Sequence, residues 1–293
     1  MAMQTRADTA VGLDVGGTRI RAARITPDGQ MSGRIVEPVV TDRSGFNAQV
    51  LRLIETVRDE TTKSVGIGIP GRVAGNTGAI HSVGYLDIAG ENLIALVRAQ
   101  ANLPCRVEND ATMALMAEGR GTTGLIAMIT VGTGVGGALL RDGAPFYGSD
   151  FAGQFGHMVV DSDGPLCNCG RRGCIETFSA GRALGALIAK AGLPETTVAA
   201  DLLTAAESGD EKAKTIIAAW ADPMKRAIQT LVAVVDPARV ILGGGLGIDM
   251  ARALGHTPQA SEWFDRPLTA ARLGDDAGVI GAGLAGFFEL KAE

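Results

Sequence analysis

Apolar residues recur along this chain with two rhythms, and the switches between them mark its elements. Ala10 to Val15 predicts a buried strand, Gly16-Gly17 a turn, and Thr18 to Ile25 a second strand in which Ile20 and Ala22 share one face and Arg21 lies opposite. Pro27-Asp28-Gly29 is a turn, so a third strand over about Ser32 to Val39 completes a meander. Phe46, Val50, Ile54 and Val57 then recur at helical spacing, and Ser64 to Ile69 returns to strand before Pro70-Gly71. Cys105 to Val107 predicts a strand and Ala111 to Glu118 a helix.

The opening pattern then repeats. Leu125 to Val131 predicts a strand, Gly132-Thr133-Gly134 a turn, and Gly136 to Leu140 a second strand. Two such units in one chain predict two similar lobes facing a common cleft, each contributing a glycine turn. Farther on, Ile216, Trp220, Met224, Ile228, Leu231 and Val235 predict a core helix. Arg239 to Leu242 predicts a short strand running into Gly243-Gly244-Gly245, and Ala277 to Leu290 a closing helix. No Pro-rich or low-complexity tether interrupts the pattern, so a lobe boundary would be a hinge.

Composition narrows the classes. With 293 residues and 46% hydrophobic content, the chain is long enough to bury sizeable cores. A net charge of −5 argues against nucleic acid as a partner, since that binding rests on concentrated positive charge. No run approaches a membrane span and no secretory leader is visible, so a cytoplasmic location is expected. Cys167, Cys169 and Cys174 crowd into one segment while Cys105 stands apart, which is a metal-site distribution more than a disulfide framework.

Four motifs carry candidate chemistry. In Asp14-Val15-Gly16-Gly17-Thr18, backbone N–H groups and a hydroxyl can meet phosphate oxygens while the carboxylate holds Mg²⁺ through water; an ordinary hairpin also uses Gly-Gly. Gly132-Thr133-Gly134-Val135-Gly136-Gly137 is a second such strand end. It continues as strand, which excludes a dinucleotide fingerprint, and no Lys follows as a Walker loop requires. Glu108-Asn109-Asp110 stands at the mouth of a helix, where Asp110 can accept a proton from an alcohol or serve as a helix cap. His157 with Cys167, Cys169 and Cys174 offers three thiolates and an imidazole, a closed tetrahedral set for structural Zn²⁺; a redox pair would need C-x-x-C spacing.

In this order the motifs resemble the ROK family of sugar kinases and related repressors. The resemblance covers nearly the whole chain: Asp14 to Thr18, Gly68-Ile69-Pro70-Gly71, Glu108-Asn109-Asp110, Gly132 to Gly137, Gly153 through Glu176, and Gly243-Gly244-Gly245, which matches the family's adenosine-side turn. It implies an α/β, actin-like (hexokinase-like, ribonuclease H-like) two-lobed fold with a cleft. One lobe would be residues 1–109 plus a C-terminal helix over about 280–293, the other residues 110–279. The resemblance also implies ATP, Mg²⁺ and structural Zn²⁺ as cofactors and a homodimer as the assembly. Asp110 would be the general base, and Gly71, Asn109, Gln154, His157 and Glu176 would bind the sugar. Asp14, Gly16, Gly17, Thr18, Gly132, Thr133, Gly134, Gly136 and Gly243 to Gly245 would take the nucleotide. A repressor would need a DNA-binding module ahead of the first loop, and that loop begins only a few residues after Met1.

Two departures bear on the acceptor. The family's Glu-x-Gly-His motif here reads Gln154-Phe155-Gly156-His157, and Gln donates as well as accepts hydrogen bonds. The family's Pro-Asn-aromatic is replaced by Val83-Gly84-Tyr85-Leu86. The expected activity is transfer of the ATP γ-phosphoryl to the primary hydroxyl of a hexose or hexose-like polyol. Within it stand a broad hexose kinase, an N-acetylhexosamine kinase and a kinase of a C7-cyclitol or other pseudo-sugar. From other classes come a non-catalytic sugar sensor and an ATPase acting on a protein.

Overall fold

In the predicted meander the strand Thr9–Val15 is buried throughout and Arg19–Ile25 is buried at Ile20, Ala22, Ala23 and Ile25, while Met31–Pro38 at the sheet edge is only partly covered. A computed structural model of the chain describes residues 7–83, 86–257 and 262–290. In chain order come β1 (Thr9–Val15), β2 (Arg19–Ile25), β3 (Met31–Pro38), α1 (Arg43–Val57), β4 (Thr62–Ile69), β5 (Arg72–Val73), β6 (Ile80–Ser82), α2 (Leu93–Ala101), β7 (Cys105–Asn109) and α3 (Asp110–Glu118). After them run β8 (Leu125–Val131), β9 (Val135–Arg141), β10 (Ala144–Pro145), α4 (Glu176–Ser179), α5 (Gly181–Lys190), α6 (Ala199–Glu207) and α7 (Glu211–Val235). The chain ends with β11 (Arg239–Gly243), α8 (Gly247–Gly255), β12 (Leu268–Ala270) and α9 (Ala277–Glu289).

The chain divides into two compact units. The first holds 1–122, 143–152 and 275–293, and the second holds 123–142 and 153–274. Relative to the lobes expected from the sequence, this grouping keeps α3 with the first unit. The reason is packing: α3 lies against α9, where a Cβ on Gly281 would overlap the Met113 carbonyl.

In the first unit the sheet order is β3-β2-β1-β4-β7, with β1 antiparallel to β2 and parallel to β4, and β4 parallel to β7. One face packs α1 and α2 through Phe46, Val50, Leu53, Ile54, Leu93 and Val97. The other receives α9, whose small residues admit it to the strands. A Cβ on Gly12 would overlap the Val279 carbonyl, and one on Gly66 the Ala282 carbonyl. Gly66→Ala is therefore expected to cost about 3 kcal/mol by overpacking, read as a lower urea midpoint at unchanged m value.

The second unit repeats the pattern. β9, β8, β11 and β12 lie side by side, with β8 antiparallel to β9 and parallel to β11. Of the predicted stripe in α7, Ile228 and Val235 are half-buried, Ile216, Met224 and Leu231 are buried, and Trp220 is wholly enclosed. Its indole Nε1 donates to the Ala180 carbonyl at 3.3 Å, which fixes the junction of α4 and α5. Among the described residues no helix is long and apolar enough to cross a membrane.

Candidate functional site

In the first unit the parallel strands β1, β4 and β7 end together, and their carboxyl ends carry the predicted residues. Register pairs Asp14 with Gly68, and Ile69 with Asn109. Gly68 is buried and lets α3 pack close: a Cβ there would stand 3.2 Å from Met113 Cγ and 3.7 Å from the Asp110 Cα. Gly71, at φ +97, turns the chain back so that its carbonyl accepts from Asn109 Nδ2 at 3.0 Å.

Asn109 is the cap of α3, its Oδ1 accepting from the Ala111 amide at 3.0 Å. Asp110 is thereby the first helical residue, half-buried, with Oδ1 accepting from the same amide at 2.9 Å. Burial, and then the charge of Asp14, push the Asp110 carboxyl up to about 7, against the backbone hydrogen bond from Ala111. Asp14 is nearly enclosed, pressed against Gly278 of α9, and burial raises it to about 6. Arg21 opposes that rise: its Nη1 donates to Asp14 Oδ2 at 3.3 Å, while Nη2 reaches Asp275 at 3.0 Å. Asp14 and Asp110, each raised mainly by burial and with the charge of Asp14 acting on Asp110, could face a divalent cation carried on a phosphate ligand.

Gly16, Gly17 and Thr18 form the exposed turn after Asp14. Neither glycine has positive φ; a Cβ on Gly17 would meet nothing within 4 Å, whereas one on half-buried Gly16 would stand 3.1 Å from the Arg19 carbonyl, so the open surface is at Gly17.

In the second unit the β8–β9 turn is braced from beneath. Gly132 N–H donates to the Gly134 carbonyl at 2.9 Å, and the Gly181 N–H to the Gly132 carbonyl at 2.7 Å. Arg182 Nε donates to the Thr133 carbonyl at 3.3 Å. Glu176 Oε2 accepts from the Val135 amide at 3.0 Å and fills the space a side chain on Gly134 would need. Gly136 pairs with Thr130, and Thr133 is exposed. Gly243 ends β11 and is buried; Gly244, at φ +78, lies against the Val131 carbonyl, which accepts the Leu246 N–H at 2.9 Å. Both glycine turns of this unit thus rest on one strand end. Beside them opens a cavity of about 370 Å³ lined by Gly181, Leu184, Ile188, Val198 and Leu246 among others.

His157, Cys167, Cys169 and Cys174 converge, with all ligand atoms within 4.8 Å of one another. Cys169 and Cys174 Sγ are 3.5 Å apart, and Cys167 Sγ lies 3.6 Å from His157 Nδ1. Tetrahedral Zn²⁺ with Zn–S of about 2.3 Å and Zn–N of about 2.0 Å needs edges of about 3.8 and 3.5 Å, so the set fits. Burial pushes the Cys174 thiol up to about 12, whereas the Arg171 backbone amide holds Cys169 down to about 6. A dication among them favours thiolate throughout. With Nδ1 facing the sulfurs, His157 keeps Nε2 for another partner.

Gln154 is exposed and makes no side-chain cap bond; it precedes a single 3₁₀ turn at Phe155–His157. Of the altered segment Val83-Gly84-Tyr85-Leu86, Gly84 and Tyr85 lie outside the described residues.

Several neighbours of these groups escaped the sequence. Arg21 was placed on the face opposite Ile20, yet its partner Asp275 is 254 positions away. Gly181, Arg182 and Leu246 carry no motif that marks them. Arg72, beside Gly71, rests with its guanidinium 4.5 Å above the Phe151 ring and makes no ion pair with any described residue. Only an Arg directly after the Pro70-Gly71 turn could have drawn notice to it.

The sequence model of the ROK family matches residues 10–285. A glucokinase from Thermotoga maritima is 29% identical, covering 93% of this chain and 95% of its own. An N-acetylmannosamine kinase from Escherichia coli is 33% identical over 94% and 97%. Among solved structures, a ROK hexokinase from Thermus thermophilus superposes with a TM-score of 0.81 at 27% identity, covering 97% of this chain and all of that one. A ROK glucokinase from Streptomyces griseus in complex with glucose and AMPPNP gives 0.76 at 26%, over 96% and 99%. The shared fold is the actin-like, hexokinase-like α/β class expected from the sequence.

Proposed function

This chain belongs to the ROK family, and from that premise we propose that it is an ATP-dependent sugar kinase in which Asp110 is the general base for an acceptor hydroxyl. The observation that carries the reading is the Asp110 carboxyl at the head of α3. It is raised to about 7 by burial and by Asp14, and it is oriented by the Ala111 amide. A base with that affinity takes a proton from an alcohol as phosphoryl transfer proceeds.

Asn109, held by Gly71, fixes the acceptor side of Asp110 and contributes contacts to the sugar together with Gln154, His157 and Glu176. Asp14 would hold Mg²⁺ through water, and Mg²⁺ carried with the nucleotide would spread the charge developing on the phosphoryl oxygens. In the turns Gly16-Gly17-Thr18 and Gly132-Thr133-Gly134-Val135-Gly136, where the Gly16, Gly132 and Val135 N–H groups already have acceptors, the N–H groups of Gly17, Thr18, Thr133 and Gly134 would meet phosphates, and Arg21 adds a fixed positive charge next to the first turn. The cavity beside Gly181 and Leu246, apolar along most of its wall, suits an adenine ring next to Gly243 to Gly245. His157 and the three cysteines would hold Zn²⁺ in a structural role.

For the acceptor, Arg72, next in sequence to Gly71, favours a sugar bearing a carbonyl oxygen, since its guanidinium rests over the Phe151 ring without an ion-pair partner among the described residues. The exposed Gln154 amide supports the same class by offering a donor where Glu would offer none. On this reading an N-acetylhexosamine is turned over better than glucose, mannose or a cyclitol.

The test is a panel of those acceptors with MgATP, read by ADP release and by the mass of the phosphorylated product. N-acetylated hexosamines should give the highest kcat/KM. No ADP release with any polyol would point to a sugar sensor, and equal release without acceptor to an ATPase; either outcome refutes the proposal.

A further inference from the structure

We infer that the Glu176 carboxylate stands in for a phosphate on the β8–β9 turn, so that Glu176 is a positioning residue coupling nucleotide binding to acceptor binding. The coupling rests on the sugar-kinase reading above, while the stand-in role rests on the turn alone. Glu176 Oε2 accepts from the Val135 amide at 3.0 Å and lies where a Gly134 side chain would project. Its charge forms no ion pair with any described residue. A carboxylate laid on a glycine-turn N–H uses the donor type that phosphate oxygens use.

Elsewhere the turn is held by backbone bonds at Gly132 and by Arg182 Nε on the Thr133 carbonyl. Gly132 is bonded on both its groups, to Gly134 and to Gly181, at 2.9 and 2.7 Å. The Val135 amide is different, because its acceptor is a side chain that can rotate away without disturbing the strands. While the carboxylate stays, like charge opposes an arriving phosphate. An acceptor hydroxyl that donates to Glu176 draws the carboxylate off and frees the amide. Nucleotide phosphates are then held better once sugar is present, which limits ATP hydrolysis in its absence.

The zinc-loaded full chain is titrated calorimetrically with MgADP, with and without the acceptor found in the panel. Glu176→Gln keeps an oxygen for the Val135 amide and removes the charge. In sugar-free buffer it should bind MgADP about 5-fold or more tightly than the parent. Sugar should tighten MgADP binding to the parent by about 10-fold and to the variant by less than about 2-fold. A purely structural anchor would leave both Kd values and the coupling unchanged, and that result overturns the inference. If Glu176→Gln fails to fold, the parent alone decides, because MgADP affinity independent of sugar also overturns it. A parent that phosphorylates no sugar refutes the functional reading instead, and the sugar-free MgADP comparison still tests the stand-in role.

Discussion

Asp110→Asn should lower kcat by about 10³-fold while leaving metal content and sugar KM near the parent values. The amide is nearly isosteric and still accepts from the Ala111 amide, so geometry survives and only basicity is lost. In the parent, kcat/KM should fall as pH drops below about 7, because the carboxyl must be ionised to accept a proton. Stability should move the opposite way. The carboxyl titrates near 3.8 in the unfolded chain and near 7 in the fold, so the native state binds the proton more tightly. Between about pH 4 and 7 each rise in pH therefore costs native stability, and above 7 the full cost is present. Asp14, raised to about 6, acts in the same direction. Asp110→Asn should accordingly raise Tm at pH 8 and leave it almost unchanged at pH 4, as scanning calorimetry would show. Turnover within a few-fold of the parent would remove Asp110 from the role of base.

Cys174→Ser should empty the thiolate cluster. Cys174 is fully buried, and its sulfur stands 3.5 Å from Cys169 Sγ and 3.7 Å from the His157 carbonyl. A hydroxyl is a poor zinc ligand, and structural zinc binding is worth about 10 kcal/mol or more in small domains. Elemental analysis should fall from about one zinc per chain to near none, with Tm lowered by about 10 °C or more. Kinase activity should be lost with it by way of two contacts. His157 carries the imidazole, and the Ile175 amide donates to the Met158 carbonyl at 2.8 Å, which sets Glu176 against the Val135 amide. A variant that keeps its zinc, or loses it without a change in Tm, would contradict the structural role.

The strands and long helices were readable because each has a burial period that repeats within a few residues. The duplicated strand–turn–strand pattern at Ala10 to Ile25 and Leu125 to Leu140 became two sheets with matching order. The short helices α2, α5, α6 and α8 were not anticipated. Each spans only nine or ten residues, so few turns that its period need not stand out, although α3 of the same length was legible. Glu108-Asn109-Asp110 left a choice between cap and base. The fold makes Asn109 the cap of α3 and leaves Asp110 as the first helical residue, its carboxyl raised by burial and by the charge of Asp14.

By itself the sequence determined the chemical types present and their local spacing: carboxylates at strand ends, glycine turns, and four soft ligands within eighteen residues of one another. Tertiary structure alone decided which charges share a neighbourhood. Arg21 and Asp275 meet across the chain, Glu176 lies on the Val135 amide 41 positions away, and Asp110 is raised by burial and by Asp14. The reason is physical: hydrogen-bond periodicity is a short-range property of the backbone, whereas desolvation and Coulomb interaction depend on what the folded chain brings within a few ångströms.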